Sequence, residues 1–422
     1  MNNEQTPIER VNNWIKNSVT LKLLTITMLV LLLLIPSSMI KSIISEREHL
    51  NEQTTAEVSE KWAGEQVING PLLTVPLLYE HTQDDKVVET IKYYHVLPEQ
   101  LDINGTIDPQ KLKRGIYEVV VYKSSLDIQG QFVIDKTYDL HHLKSILWDQ
   151  SFLTIGISDL RGIEEKLQVK WNEQNLEVVA GSQIENIIYS GVTIKLTDLK
   201  ENGPPVYDFK FQLQLQGSKN LSFVPVGSET TVNITSKWQA PSFNGNFLPD
   251  TRKVTDEGFE ATWKVLELNR NYPKNWMGAI HSNKLQLSEF GVDLILPLDD
   301  YQKSMRSAKY AIMTIVLTFL VFFLVEILNK RKIHPFQYTL VGLALCLFYV
   351  LLISISEHAT FNIAYLISAV SVVTMVGLYS LSVFHNRKLT YILLAILSGI
   401  YCFLFVILQL ADYALLMSSI GL

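Results

Sequence analysis

The hydrophobic and polar positions of this chain fall into blocks with different periods. Residues 23–40 hold no charge and are dense in leucine, apolar on every side. Such a run is not the single buried stripe of a soluble helix. A bilayer core of about 30 Å takes about 20 apolar residues as a helix. A cleaved signal peptide would have a shorter apolar core followed by small residues. Here Ile40, Ile43 and Ile44 follow the run, so it reads as an uncleaved anchor. Four more apolar runs cover 308–328, 336–355, 360–384 and 390–411. The last piece, 413–422, would rise only about 15 Å as a helix and cannot cross alone. It reads as the start of a sixth helix.

Between the anchor and the second run the pattern changes. Residues 46–62 are good helix formers without Gly or Pro, and they predict an outward continuation of the first helix to Gly64. Beyond it, apolar and polar residues alternate at 117–122, 192–196, 209–215, 232–235 and 292–296, which predicts strands. Asn104-Gly105, the 202–205 stretch with Gly203, Pro204 and Pro205, and Gly217-Ser218 read as turns between them. Short strands with such punctuation predict an antiparallel sandwich or barrel-like domain, long enough for a large core in one or two lobes. The fold class is therefore an integral membrane protein. A bundle of one N-terminal and four to five C-terminal helices carries a large, mainly-β exported domain.

Charge sets the expected orientation. Short cytoplasmic loops retain Lys and Arg. Lys330, Arg331 and Lys332 follow the second run, Arg387 and Lys388 follow the fourth, and Arg10, Lys16 and Lys22 precede the first. The opposite loops, near Glu357-His358 and Asp412, have neither residue. The N-terminus is expected inside and residues 45–307 outside, in the periplasm of a multi-pass inner-membrane protein. Lys303, Arg306 and Lys309 run against the rule at the end of a long translocated stretch, where the rule is weak. Ile8, Val11, Ile15 and Val19 recur at helical spacing beside Trp14, which predicts a helix on the cytoplasmic surface. The expected divisions are 1–21 cytoplasmic, 22–44 anchor, 45–307 periplasmic and 308–422 bundle.

The composition adds little chemistry. The formal net charge is −6, with no basic face for nucleic acid. Both cysteines, Cys346 and Cys402, lie in apolar runs, so the exported region cannot form a disulfide. Metal-helix, phosphate-loop and nucleophile-elbow motifs are all missing from the sequence. His141-His142, read on a strand, would point to opposite faces and not share a metal. Asp299-Asp300 reads as a solvated turn. Asn220 and Asn233 begin glycosylation sequons, a common chance match. Lys309 and Glu326 bracket the second apolar run, where long side chains can snorkel. The serines of the later runs read as helix-packing groups, and Tyr310, Tyr338, Tyr391 and Tyr413 as an interfacial belt.

Several stretches together resemble one family. They are LLIP at 33–36, SER at 45–47, WAG at 62–64, GPLLTVP at 70–76, LPE at 97–99 and RGIYEVVVY at 114–122. The most distinctive are WQAPSFNGNFLP at 238–249 and the segment from Asp300 through Lys303 and Arg306 to Tyr310. The membrane half adds HPFQY at 334–338, SISEH at 354–358 and QLADYALL at 409–416. In this order and over nearly the whole chain, they resemble the CreD family of bacterial inner-membrane proteins. The resemblance implies a link to a two-component regulatory system, envelope stress, and altered sensitivity to colicins and β-lactams. It implies no catalytic activity or cofactor. Members of that family run on past the position matching Leu422, which implies completion of a last helix there.

The resulting expectation is a non-enzymatic protein supporting cell envelope integrity or stress response. Its partners are the lipid bilayer and an envelope protein or a second copy of itself, and no nucleic acid. The alternatives are a transporter or flippase-like protein with an exported gate, and an exported-domain enzyme acting on envelope material. Trp238, Phe243 and Phe247 are candidates for a packed turn or an aromatic partner surface. Arg306 and Asp300 are candidates at the junction of domain and bundle, where a guanidinium can engage a carboxylate with two hydrogen bonds.

Overall fold

The computed structural model describes residues 19–83, 86–134, 140–200, 203–295, 300–328 and 333–420. The chain divides into two compact units, Met1–Glu52 with Leu298–Leu422, and Gln53–Pro297. The surface helix expected over 8–19, the cationic loop Lys330–Lys332 and Asp299 fall outside the described residues.

The first unit is helical. Among the described residues five helices are long and apolar enough to cross a membrane. They are α1 (Val19–Trp62), α3 (Ala311–Leu328), α4 (Pro335–Ser356), α5 (Phe361–Phe384) and α6 (Arg387–Ile420), with a polar helix α2 (Asp300–Lys309) before α3. The continuation predicted for 46–62 is present, since α1 runs unbroken to Trp62. The expected start of a sixth helix at 413–422 is corrected: α6 continues through this piece to Ile420. No Gly or Pro stands between Arg387 and Ile420 except Gly399, so nothing in the local chain stops the helix.

Local chemistry starts and stops these helices. His334 Nδ1 accepts from the Phe336 amide and Gln337 Oε1 from the His334 amide, so both ends of a capping box close α4, with Pro335 at its first position. His385 ends α5 in the left-handed region (φ 51°), and Asn386 Oδ1 caps α6 through the Lys388 amide at 3.0 Å. The hairpin between α5 and α6 is therefore only two residues long. Phe348 lies at the centre of the bundle, with ring centroids 4.7 Å from Tyr401, 4.8 Å from Tyr349 and 5.2 Å from Tyr365. Small residues let helices approach. A Cβ on Gly342 of α4 would stand 2.2 Å from Leu33 Cδ1, so α1 seats Leu33 in that notch. The other side of α1 leaves Leu24, Met28 and Ile35 exposed, as a lipid-facing surface would.

The second unit is built from two sheets whose inner faces share one hydrophobic core. The larger has ten strands among the described residues. Its path runs Pro241–Gly245, Phe290–Leu294, Asn220–Phe223, Gln66–Gln83, Phe152–Ile157, Gly191–Lys195, Val178–Ala180, with Lys86–Val96 and Leu143–Ile146 also pairing to Gln66–Gln83, and Asn275–Met277 pairing to Lys86–Val96. The smaller has eight, in the order Thr251–Thr255, Gly258–Leu266, Glu229–Ser236, Gln100–Arg114, Tyr117–Val133, Val206–Ser218, Val169–Trp171, Gln174–Leu176. Each predicted strand lies on one of these. Pairing is mostly antiparallel, but Gln66–Ile68 runs parallel to 221–223, and 229–236 runs parallel to 100–107.

Two turn expectations are corrected. Asn104 and Gly105 lie inside the Gln100–Arg114 strand, paired on both sides. Gly105 faces the core, where a Cβ would stand 2.5 Å from Leu126 Cδ2 and 2.8 Å from Ile234 Cδ1. The glycine makes room for neighbours; it does not turn the chain. Gly217 and Ser218 end a strand, and the reversal falls one residue later, at Lys219 (φ 61°). The expected strand at His141-His142 is instead a turn, with His142 at φ 63°.

Gln66, fully buried, links the sheets. Its Nε2 donates to the carbonyls of Asp159 (3.0 Å) and Gln216 (2.9 Å), and its Oε1 accepts from the Asp159 amide and Ser158 Oγ, both at 3.2 Å. Asp159 also accepts from the Gly64 amide at 2.9 Å. The Arg161 guanidinium holds its carboxyl down to about pKa 2.

Candidate functional site

Three places in the structure gather the residues of interest. The first is the aromatic segment at 238–249. Residues Pro241–Gly245 form an edge strand, where a proline is tolerated because no ladder amide is needed on its open side. Trp238 is 8% exposed, and its indole N–H is shared between the carbonyls of Ala240 and Ile295, both at 3.1 Å. Lys111 Nζ lies 5.6 Å from the centre of its ring. Phe243 packs edge-on against Phe259 and Trp263 of the other sheet, both at 5.7 Å. Phe247 meets Phe290 edge-on at 6.0 Å, and its carbonyl accepts the Trp263 indole N–H at 3.2 Å. Both rings are partly buried against the shared core. Asn244 Nδ2 donates to Asp293 Oδ2 at 2.8 Å, while Asn220 Nδ2 donates to the other oxygen at 2.7 Å. The Asn220 sequon is thus held inside the sheet, with its asparagine 8% exposed.

The second place is in the helical unit. Glu326 was expected to snorkel from a span end; it is instead 3% exposed. The Lys22 ammonium donates to Glu326 Oε1 at 2.7 Å and the Tyr338 hydroxyl to its Oε2 at 2.9 Å. Tyr338 is itself buried, against Phe319 and Phe322, and is not part of an interfacial belt. Partners this close offset the hydration a buried carboxylate loses. Further along α1, Arg47 Nε lies 3.5 Å from Glu357 Oε1, where α4 ends. Arg306 lies half-buried on α2 and Asp300 opens that helix; the side chain of Asp300 is outside the described ones. Lys303 of α2 places its ammonium 5.8 Å from the centre of the Phe361 ring. The sequence named Arg306 and Asp300 but not Lys22, Glu326 and Tyr338 as a group, because 304 residues separate Lys22 from Glu326.

The third is the outer face of the eight-stranded sheet, which sequence reading left unexamined. Register aligns three rows across five strands. They are Lys264, Thr231, Asp102, Gln129, Lys210; Thr262, Asn233, Asn104, Asp127, Gln212; and Glu260, Thr235, Thr106, Ser125, Gln214. None of these side chains is buried. Five are charged, five are amides and five are hydroxyls, with no apolar side chain among them. Neighbours cross-link: Asn233 Nδ2 donates to Asn104 Oδ1 at 2.9 Å, Gln214 Nε2 to Ser125 Oγ at 2.8 Å and Gln100 Nε2 to Asp102 Oδ2 at 3.1 Å. Burial, then the nearby Glu229 charge, raises the Asp102 pKa. Depressions of about 590 Å³ and about 380 Å³ lie at opposite ends of this face, the first by Thr106, Thr235 and Lys253, the second by Asp102, Gln129 and Lys210. The alternation at 209–215 showed which residues of one strand face outward, but the residues paired with Lys210, Gln212 and Gln214 on the next strand come from 81 to 89 residues away.

Among the described residues no three His, Cys, Asp or Glu side chains gather as a metal group. A family model described as inner membrane protein CreD matches residues 18–422. Inner membrane protein CreD of Escherichia coli (strain K12) is 33% identical over 400 residues, which cover 92% of this chain and 87% of that one. Two structures of an M1 zinc metallopeptidase from Deinococcus radiodurans, one of them a mutant bound to a Tyr-Ser-Ala substrate, align at 11% identity. They cover 40% of this chain and 38% to 39% of their own, with a TM-score of 0.19, too low to bear on fold or function.

Proposed function

The chain belongs to the CreD family of inner membrane proteins, and from that premise we propose that it is a non-enzymatic envelope-integrity protein whose β unit engages another envelope component. The helices hold it in the inner membrane as a multi-pass protein. The outer sheet face carries this reading, since it offers fifteen aligned polar side chains and is not needed for the core. Residues 45–307 are periplasmic and the N-terminus cytoplasmic in this scheme. Two ion pairs support the orientation. Lys22 and Arg47 are 25 residues apart on α1, about 37 Å, which is the scale of a bilayer core with part of its interfaces. The Lys22 pair stands at the same end as the helix starts that follow the two cationic loops. The segment 238–249 serves as a staple between the sheets, and Arg306 and Asp300 belong to the junction helix that enters the bundle.

A transporter would need the Glu326 carboxylate to face a cavity, and it faces Lys22 and Tyr338 instead. The test is complementation. A strain lacking its own copy is challenged with β-lactam and colicin, with and without this chain. Restored wild-type sensitivity supports the reading. It fails if the chain has no effect, or if the purified protein hydrolyses envelope material and Ser242→Ala abolishes that hydrolysis.

A further inference from the structure

The outer face of the eight-stranded sheet has a composition that selects among partners. A protein interface has an apolar or aromatic centre, and the three aligned rows have no apolar side chain. Anionic lipid and nucleic acid call for clustered Lys and Arg; the rows hold two lysines against three carboxylates, interleaved so that Asp102 lies between Lys264 and Lys210. The face is therefore close to neutral and dense in paired donors and acceptors. Strands repeat across it every 4.8 Å or so, and outward side chains along each strand every 7 Å or so. Each Asn or Gln offers an N–H and a C=O side by side, the same pair an acetamido group offers in return. Carboxylates accept hydrogen bonds from hydroxyls, and lysines donate them to hydroxyl oxygens. Two separate depressions border the face, one by Gln129 and Lys210 and the other by Thr235 and Lys253, and Asn104 and Asn233 lie on the open row between them.

We propose that this face binds an uncharged, N-acetylated glycan strand of the cell wall, lying across the rows that contain Asn104, Asn233 and Gln129. The inference rests on the reading that the β unit is periplasmic and engages an envelope component. It names that component's chemistry. Asn104 and Asn233 stand centrally, already joined at 2.9 Å, so each holds the other's amide in a fixed orientation for a sugar. Gln129 and Lys210 are exposed neighbours across a strand pair and can be changed without touching the core.

The test uses the full chain in detergent and titrates chitohexaose, a neutral N-acetylglucosamine hexamer, by calorimetry. Cellohexaose, which lacks acetamido groups, and glucose 1-phosphate are run beside it. The expected result is saturable binding of chitohexaose, at least tenfold tighter than cellohexaose and not displaced by glucose 1-phosphate. The Gln129→Ala, Lys210→Ala double variant should weaken it at least tenfold with an unchanged melting profile. Asn104→Leu should abolish it; if that variant fails to fold, the exposed double variant still decides. Lack of chitohexaose binding, equal binding of cellohexaose, displacement by the phosphate, or an undiminished affinity in the double variant would each overturn the inference. Complementation separates the two levels. A chain that restores wild-type sensitivity to β-lactam and colicin but binds no chitohexaose sinks the glycan assignment alone. One that binds it yet restores nothing sinks the envelope role.

Discussion

His95 sits inside the β unit with 1% of its surface exposed. Thr74 Oγ1 lies 3.0 Å from its Nδ1 and the Trp276 ring centre 5.6 Å from its own. Burial pushes its pKa down from 6.5 to about 4, because the imidazolium would lose its water. The folded pKa is below the unfolded one, so the neutral form is the one the fold accepts. Stability is full above pH 6.5 and falls as pH drops from there to about 4, by about 3 kcal/mol. Thermal melts of the full chain in detergent should show an apparent Tm that declines through this window. His95→Gln should remove most of the decline while lowering the melt at neutral pH. A slope unchanged in the variant would mean that other groups carry it. Asp159 titrates separately, since Arg161 and two backbone amides hold its pKa near 2. Its contribution is present above about pH 4 and is lost only as pH falls toward 2.

At the scale of elements, the contact of α1 with the bundle depends on the Lys22–Glu326–Tyr338 group. Truncating Lys22 alone leaves a carboxylate buried against Phe-rich surface, a loss of about 3–5 kcal/mol. Replacing both partners with apolar residues of like size is close to neutral, because the desolvation of both charges is removed together. Lys22→Met should therefore lower the detergent melting temperature strongly, and Lys22→Met with Glu326→Leu should recover most of it. Strictly additive losses in this double-mutant cycle would show that the pair is not coupled. The staple at 238–249 makes a different forecast. Phe243→Ala removes a ring wedged between Phe259 and Trp263 and should cost about 2–4 kcal/mol. Ser242→Ala on the same strand should cost under about 0.5 kcal/mol. If both variants melt like the parent, the ring contributes surface and not packing. Neither pair of neighbours was visible in the sequence. Alternation at 209–215 and 232–235 was enough to find strands, because one buried face imposes period two. Gly105 was misread because a glycine that makes room for Leu126 and Ile234 looks, along the chain, like one that permits a turn. Glu326 was misread because a charge near the end of an apolar run is consistent with snorkelling until its partner, three hundred residues away, is known. The apolar piece after Asp412 was misread for a related reason: one acidic residue does not stop a helix.

For the whole molecule, the bundle puts the direction in which the chain crosses the membrane to a measurable test. Lys22 at the start of α1, Glu326 at the end of α3 and Tyr338 at the start of α4 meet at one end. Phe322 of α3 and Phe384 at the end of α5 touch at the same end, with ring centres 5.7 Å apart. The α5–α6 hairpin with Arg387 and Lys388 therefore belongs there as well. Arg47 and Glu357 mark the opposite end. Cationic short loops remain on the cytoplasmic side, so in the proposed scheme the Lys22 end faces inward and the Arg47 end outward. In the β unit Leu268 is 95% exposed and makes a convenient reporter. With Cys346 and Cys402 replaced by Ala, a cysteine at 268 should react with a membrane-impermeant maleimide in intact spheroplasts. A cysteine at 331 should react only after lysis. The paired positions matter, because a single silent site could be buried and not hidden behind the membrane. Labelling at 331 with silence at 268 in intact cells would invert the whole scheme, and with it the access of the polar sheet face to the cell wall.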